Sequence, residues 1–119
     1  MPKLEIIEVK NHGKAAEEYI LFKATQNINL KNFMICDTTY TSEKTISNKF
    51  RHTYWFLSKE IKSGEYVVLY TKNGSYERTT NNGNIFHKYY WNSSAPIWND
   101  AGDAAIVFEI ATYNVKRAR

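Results

Sequence analysis

Residues 61–71 read IKSGEYVVLYT, and no other stretch limits the fold as much. Ser63-Gly64 is a turn signal. After it, Tyr66, Val68 and Tyr70 point to one face of a pleated strand, and Val67, Leu69 and Thr71 to the other. A segment apolar on both faces and rich in β-branched and aromatic residues fits the middle of a sheet, with protein above and below it. A short buried helix is the competing reading, opposed by Gly64, two adjacent valines and the lack of a cap at either end.

The neighbours of this strand read the same way. Leu4–Lys10 carries Leu4, Ile6, Ile7 and Val9, and its alternation skips a beat at Ile6-Ile7, which predicts a bulge. Glu18–Thr25 places Ile20, Phe22 and Ala24 on one face. Asn32–Thr39 and Thr53–Leu57 read as strands, and Ile85–Asn92 as an aromatic segment. Ala104–Ile110 reads as a strand with Ile106, Phe108 and Ile110 inward and Val107 and Glu109 outward; 112–115 finishes it or begins an edge strand. Between them, 41–51 is a polar loop anchored by Ile46 and Phe50. Residues 73–84 are rich in turn residues, with Asn-Gly pairs at 73–74 and 82–83 that signal two-residue hairpins. About seven short strands with no long helix predict one all-β domain with a core over 4–115, a two-sheet antiparallel β-sandwich, with a small closed barrel as the alternative.

Composition narrows function more than fold. Cys36 is the single cysteine, so no internal disulfide forms, and its apolar surroundings predict a reduced, packed thiol. No apolar run approaches the ~18–20 residues of a membrane span, and no secretory leader is visible. Taken as a whole gene product the chain is expected in the cytoplasm; excised from a longer protein, it is expected outside the cell or at its surface. The net charge is +4, and Lys116, Arg117 and Arg119 supply three of the positive charges. The basic character is therefore mostly a property of the tail.

A family resemblance enters with the motif order. Glu18-Tyr19-Ile20, followed by Leu30, Phe33 and Asp37, resembles the opening of lamin-tail domains. These are the immunoglobulin-like tails of nuclear lamins, and they have many bacterial relatives. Ile61-Lys62-Ser63-Gly64-Glu65-Tyr66 is similar to that family's turn and strand, with Ser63 where the family has proline. Trp98-Asn99-Asp100-Ala101-Gly102-Asp103 is similar to its Trp-Asn…Gly-Asp element. The resemblance spans roughly residues 4–110; 39–51 and 72–94 have no counterpart in it. It implies an immunoglobulin-like sandwich and a non-catalytic interaction module that docks on a protein or polymer partner through loops or a strand edge, with self-association along an edge as a further expectation. In that frame Leu30 and Phe33 plug the interior, Asp37 accepts backbone N–H groups, Gly102 supplies a positive φ and Asp103 caps the turn.

The residues offer little chemistry. His12, His52 and His87 share no metal-ligand spacing and read as surface or loop side chains. Asp100 and Asp103 read as turn caps rather than cation ligands. Phosphate loops, nucleophile elbows and Cys-His couples are missing, so neither a catalytic residue nor a metal or cofactor is expected. The candidate partner-binding surface is the aromatic run Phe86–Trp91. Its expected contact residues are Lys88, Tyr89, Tyr90 and Trp91, with Arg78 and Lys72 alongside; packing of Phe86, Tyr89 and Trp91 over the sandwich end is the competing reading. A second candidate is weak nucleic-acid binding through Lys116, Arg117 and Arg119 together with that patch. Three tail cations give a salt slope of at most about −3.

Overall fold

The computed structural model describes residues 2–39, 42, 45–46, 49–98 and 103–118. The expected turn at 99–102, with Asp100 and Gly102, and the tail residue Arg119 lie outside these.

Among the described residues ten strands form three sheets. In chain order they are β1 (Leu4–Lys10), β2 (Tyr19–Ala24), β3 (Ile28–Asn29), β4 (Phe33–Thr39), β5 (Thr53–Trp55), β6 (Glu60–Ile61), β7 (Tyr66–Tyr70), β8 (Glu77–Asn81), β9 (Asn84–Tyr90) and β10 (Asp103–Glu109). The first sheet has the order β1-β2-β7-β9-β8, the second β10-β4-β5, and β3 pairs with β6. Leu30–Asn32 forms a 3-10 turn before β4, capped by the Asn29 side chain on Lys31 N.

β7 is the centre of the five-stranded sheet, as its composition predicts. Val67 and Leu69 are fully buried and meet Leu4, Ile20, Phe22, Ile35 and Phe56 in the core between the two larger sheets. The other face departs from expectation. Among the described residues no further layer covers it; rings from neighbouring strands do so instead. Tyr66 stacks on Phe86 (5.0 Å, 17°), Tyr70 on Tyr90 (5.2 Å, 16°), and Tyr19 tilts against Tyr70 at 5.5 Å. Aligned cross-strand positions bring such rings together, and they shelter Val68 to 5% exposure.

Pairing corrects three expectations. β7 and β9 run parallel, so the sheet is mixed rather than antiparallel. The chain leaves β7, crosses to the far edge as β8, and turns at Asn82-Gly83 (φ 52° and 81°) to come back as β9. Asn73-Gly74 makes no hairpin: its segment carries the crossover, and Gly74 lies so close to Tyr90 that a Cβ there would meet the ring at 2.5 Å. β10 is turned over relative to its predicted facing. Its register against β4 pairs Val107 with Ile35 and Ile106 with Cys36, so Ala105 and Val107 pack on the core. Phe108 faces outward and meets Phe50 at 5.6 Å. The bulge in β1 falls between Ile6 and Glu8, as its broken alternation predicts. No strand forms at 112–115.

Candidate functional site

The aromatic run 86–91 does not make one surface. Phe86, Lys88 and Tyr90 lie on the outer face of the five-stranded sheet, in register with Tyr66, Val68 and Tyr70. Tyr89 alternates inward and is 8% exposed, where burial, then the nearby Tyr76 and Tyr54 phenols, push its hydroxyl pKa up. Trp91 packs on the core beside Tyr54 (5.6 Å) and Trp98 (6.1 Å). Arg78 pairs in register with the inward-facing His87 and so belongs to the opposite side from Lys88. Phe86 and Tyr89 are three residues apart, and period-two alternation separates them.

The outer-face rings spend their faces on one another. Tyr90 is flanked by Tyr70 on one side and the Gly74 backbone on the other, and its hydroxyl donates to Glu77 Oε1 (3.3 Å). Lys23 sits 5.6 Å over the Tyr66 ring and Lys72 5.1 Å over Tyr70. A sugar or base stacks on an open ring face; here one face of each ring in the Tyr66–Phe86 and Tyr70–Tyr90 pairs is taken up by its partner, and Tyr19, Tyr70, Phe86 and Lys88 line a shallow groove of about 230 Å³.

Three buried polar nodes are also accounted for. Glu18 is 0% exposed and accepts from Thr71 Oγ1 (2.5 Å), Ile97 N (2.7 Å), Trp98 N (3.3 Å) and Gly13 N (3.0 Å). Asp37, also fully buried, accepts from His52 N (2.6 Å) and pairs with His52 Nδ1 (3.0 Å), as its predicted backbone-capping role requires. Arg51 reaches from Asp37 to Asp103 (2.9 Å). Beyond Asp37, the His52 ring meets Trp91 edge-on at 6.4 Å.

His87 corrects the expectation of a surface histidine, because β9 alternation turns it inward to 3% exposure. Its Nε2–H donates to Glu65 Oε1 (2.9 Å), which leaves Nδ1 to accept from the Tyr76 hydroxyl (2.8 Å). Burial pushes the Glu65 carboxyl up, but the Lys62 N–H, His87 and Arg78 outweigh it and hold the group below its ordinary 4.5. The unfolded chain thus takes up that proton at higher pH than the folded domain. The stabilisation is complete above the unfolded value and is lost as pH falls through the folded one. Urea midpoints at about pH 6 and about pH 3.5 should fall further for the native chain than for Glu65→Gln; equal falls would acquit the carboxylate.

The exposed apolar surface lies elsewhere, in residues the sequence did not single out. Trp55 (45% exposed), Leu57 (81%), Tyr113 (65%) and Val115 (79%) are close in the chain to one groove. Its volume is about 520 Å³, and Lys31, Asn32, Trp55–Ser58 and Ile110–Tyr113 line it. Local bonds build it. Ile110 N donates to Asn32 O (2.6 Å), which carries the β10–β4 register one residue past Glu109 onto the 3-10 turn. Tyr113 then meets Trp55 edge-on (4.9 Å, 89°), and Trp55 Nε1 is held by Lys31 O (2.8 Å).

Beside this groove runs a free strand edge. Asp37 N donates to His52 O and Phe56 N to Phe33 O, with Tyr54 opposite Ile35 between them. Residues 52, 54 and 56 therefore face β4, and the N–H and C=O groups of Thr53 and Trp55 point away from it. Among the described residues no strand pairs there.

The basic tail follows Tyr113, anchored at Trp55 on the second sheet, while Lys88 and Tyr90 lie on the outer face of the first. The cations and the ring patch expected to share a nucleic-acid surface are thus on different sheets. Among the described residues no group of three His, Cys, Asp or Glu side chains is placed to hold a metal ion, and no helix is long and apolar enough to cross a membrane. The chain matches no family model and no curated protein sequence.

Proposed function

We propose that this chain is a non-catalytic binding domain of the immunoglobulin-like, lamin-tail type, which docks an extended segment of a partner protein along the free edge of β5. The observation that carries this reading is the Thr53–Trp55 edge, unpaired among the described residues, next to a groove walled by Trp55, Leu57 and Tyr113. Main-chain groups on the edge supply affinity, and the groove takes the alternate side chains of an added strand. Exposed Trp and Tyr in one concavity have the composition of an interface centre rather than of ordinary surface. The motif order Glu18-Tyr19-Ile20, Leu30, Phe33, Asp37 and Gly64-Glu65-Tyr66 supports the kinship; Leu30 and Phe33 are buried and Asp37 accepts the His52 N–H.

The test is a selection of short extended peptides against the domain, followed by affinity measurement on variants. Trp55→Ala and, separately, Leu57→Ser are each expected to weaken selected peptides at least ~10-fold, about 1.4 kcal/mol. Leu57 is exposed enough that its replacement leaves folding intact. Peptides that bind both variants as tightly as the native chain would place the site elsewhere.

A further inference from the structure

The chemistry of the partner segment follows from the charges around the groove, given the docking reading above. Lys31 lines the groove, and no Asp or Glu does. Lys116 and Arg117 follow Tyr113 by three and four residues, which puts them within at most ~14 Å of chain from the Trp55–Tyr113 contact. Both are exposed. Of the nearest acids by sequence, Glu109 is paired with Lys3 (3.2 Å), while Glu60, outside the lining, accepts from the neutral Asn29 Nδ2 (3.2 Å) and keeps its charge. The lining therefore carries one cation and no carboxylate, and the cations Lys31, Lys116 and Arg117 outnumber the one uncompensated acid near it in sequence, Glu60. A cationic segment entering here meets repulsion with no carboxylate in the lining to receive it, whereas an anionic one meets cations both in the groove and at its rim.

We infer that the segment added to β5 is an acidic extended peptide. Its apolar side chains enter the groove between Leu57 and the Trp55–Tyr113 pair, and its carboxylates on alternate positions face Lys31, Lys116 and Arg117. Polar groups at the rim set orientation and encounter rate; the rings and the edge hydrogen bonds hold the complex.

Two labelled nonapeptides of alternating residues, Val with Glu and Val with Lys, form the probes, titrated by anisotropy against the full chain. The acidic peptide should bind about tenfold tighter at low salt, from three exposed pairs of a few tenths of a kcal/mol each. That preference should shrink at high salt and vanish in Lys31→Gln/Lys116→Gln/Arg117→Gln. Both peptides should weaken in Trp55→Ala and in Leu57→Ser. Equal affinity for the two peptides, each still dependent on Leu57, would overturn the acidic inference and leave the docking site standing. No binding of either would overturn both. An acid preference unchanged in Trp55→Ala and Leu57→Ser, or full displacement of the acidic peptide by a single-stranded oligonucleotide, would assign the anion to the tail alone and overturn the inference as well.

Discussion

Glu18→Ala is expected to cost about 3–5 kcal/mol of unfolding free energy, close to the largest loss a single substitution produces. The carboxylate is fully buried and receives four donors from three separate segments: Gly13 N, Thr71 Oγ1, and the Ile97 and Trp98 amides. It ties the 11–18 turn to the end of β7 and to the connection that leads toward β10. Alanine leaves those donors without an acceptor, and each orphaned buried donor costs about 1–3 kcal/mol unless the structure relaxes. Glu18→Gln should cost less, about 2–3 kcal/mol, since one oxygen still accepts while the new NH2 opposes a donor. Thermal melts should show the order native, Gln, Ala, with Ala displaced by roughly 10–20 °C. A loss below ~1 kcal/mol for Ala would mean that water reaches and satisfies these donors.

Phe56→Ala should destabilise by a similar amount, about 3–5 kcal/mol. Phe56 is 2% exposed and joins the two sheets. Its ring meets Phe22 of β2 (6.0 Å, 83°) and Tyr89 of β9 (5.3 Å, 80°) across the core, and Tyr54 of β5, the strand it follows (5.1 Å, 74°). Each edge-to-face contact adds about 0.5–1.5 kcal/mol beyond the area it buries. Phe56→Leu keeps most of the volume and loses the ring contacts, so it should fall between alanine and the native chain. Denaturant midpoints check the order. Phe56 also floors the groove, so the leucine variant, if folded, should bind selected peptides more weakly than its stability alone would imply. A leucine variant as stable as the native chain would mean that the ring geometry contributes nothing beyond volume.

The site was harder to read than the fold, for reasons visible in single residues. The run Phe86–Trp91 draws attention because its rings are contiguous, yet contiguity in a strand divides side chains between two faces. Lys88 and Tyr90 went out, while Tyr89 went in. Trp55 and Tyr113 come from segments at opposite ends of the second sheet's strand order, and nothing in either segment names the other. The signal that was present is the unmatched apolar side chain: Leu57, Tyr113 and Val115 follow strands whose cores are already filled.

Alternation along β2, β4 and β7, the broken beat in β1 and the Asn82-Gly83 turn were settled by the chain itself, because a strand's facing pattern and a tight turn's positive φ are properties of a few consecutive residues. The parallel pairing of β7 with β9, the placing of β8 at the far edge and the reversal of β10 were decided only by the tertiary structure. Each depends on which strand lies alongside, and backbone hydrogen bonds accept any neighbour of suitable register. The same holds for the open flank of β5: a strand's sequence carries its faces, while its edges belong to the sheet.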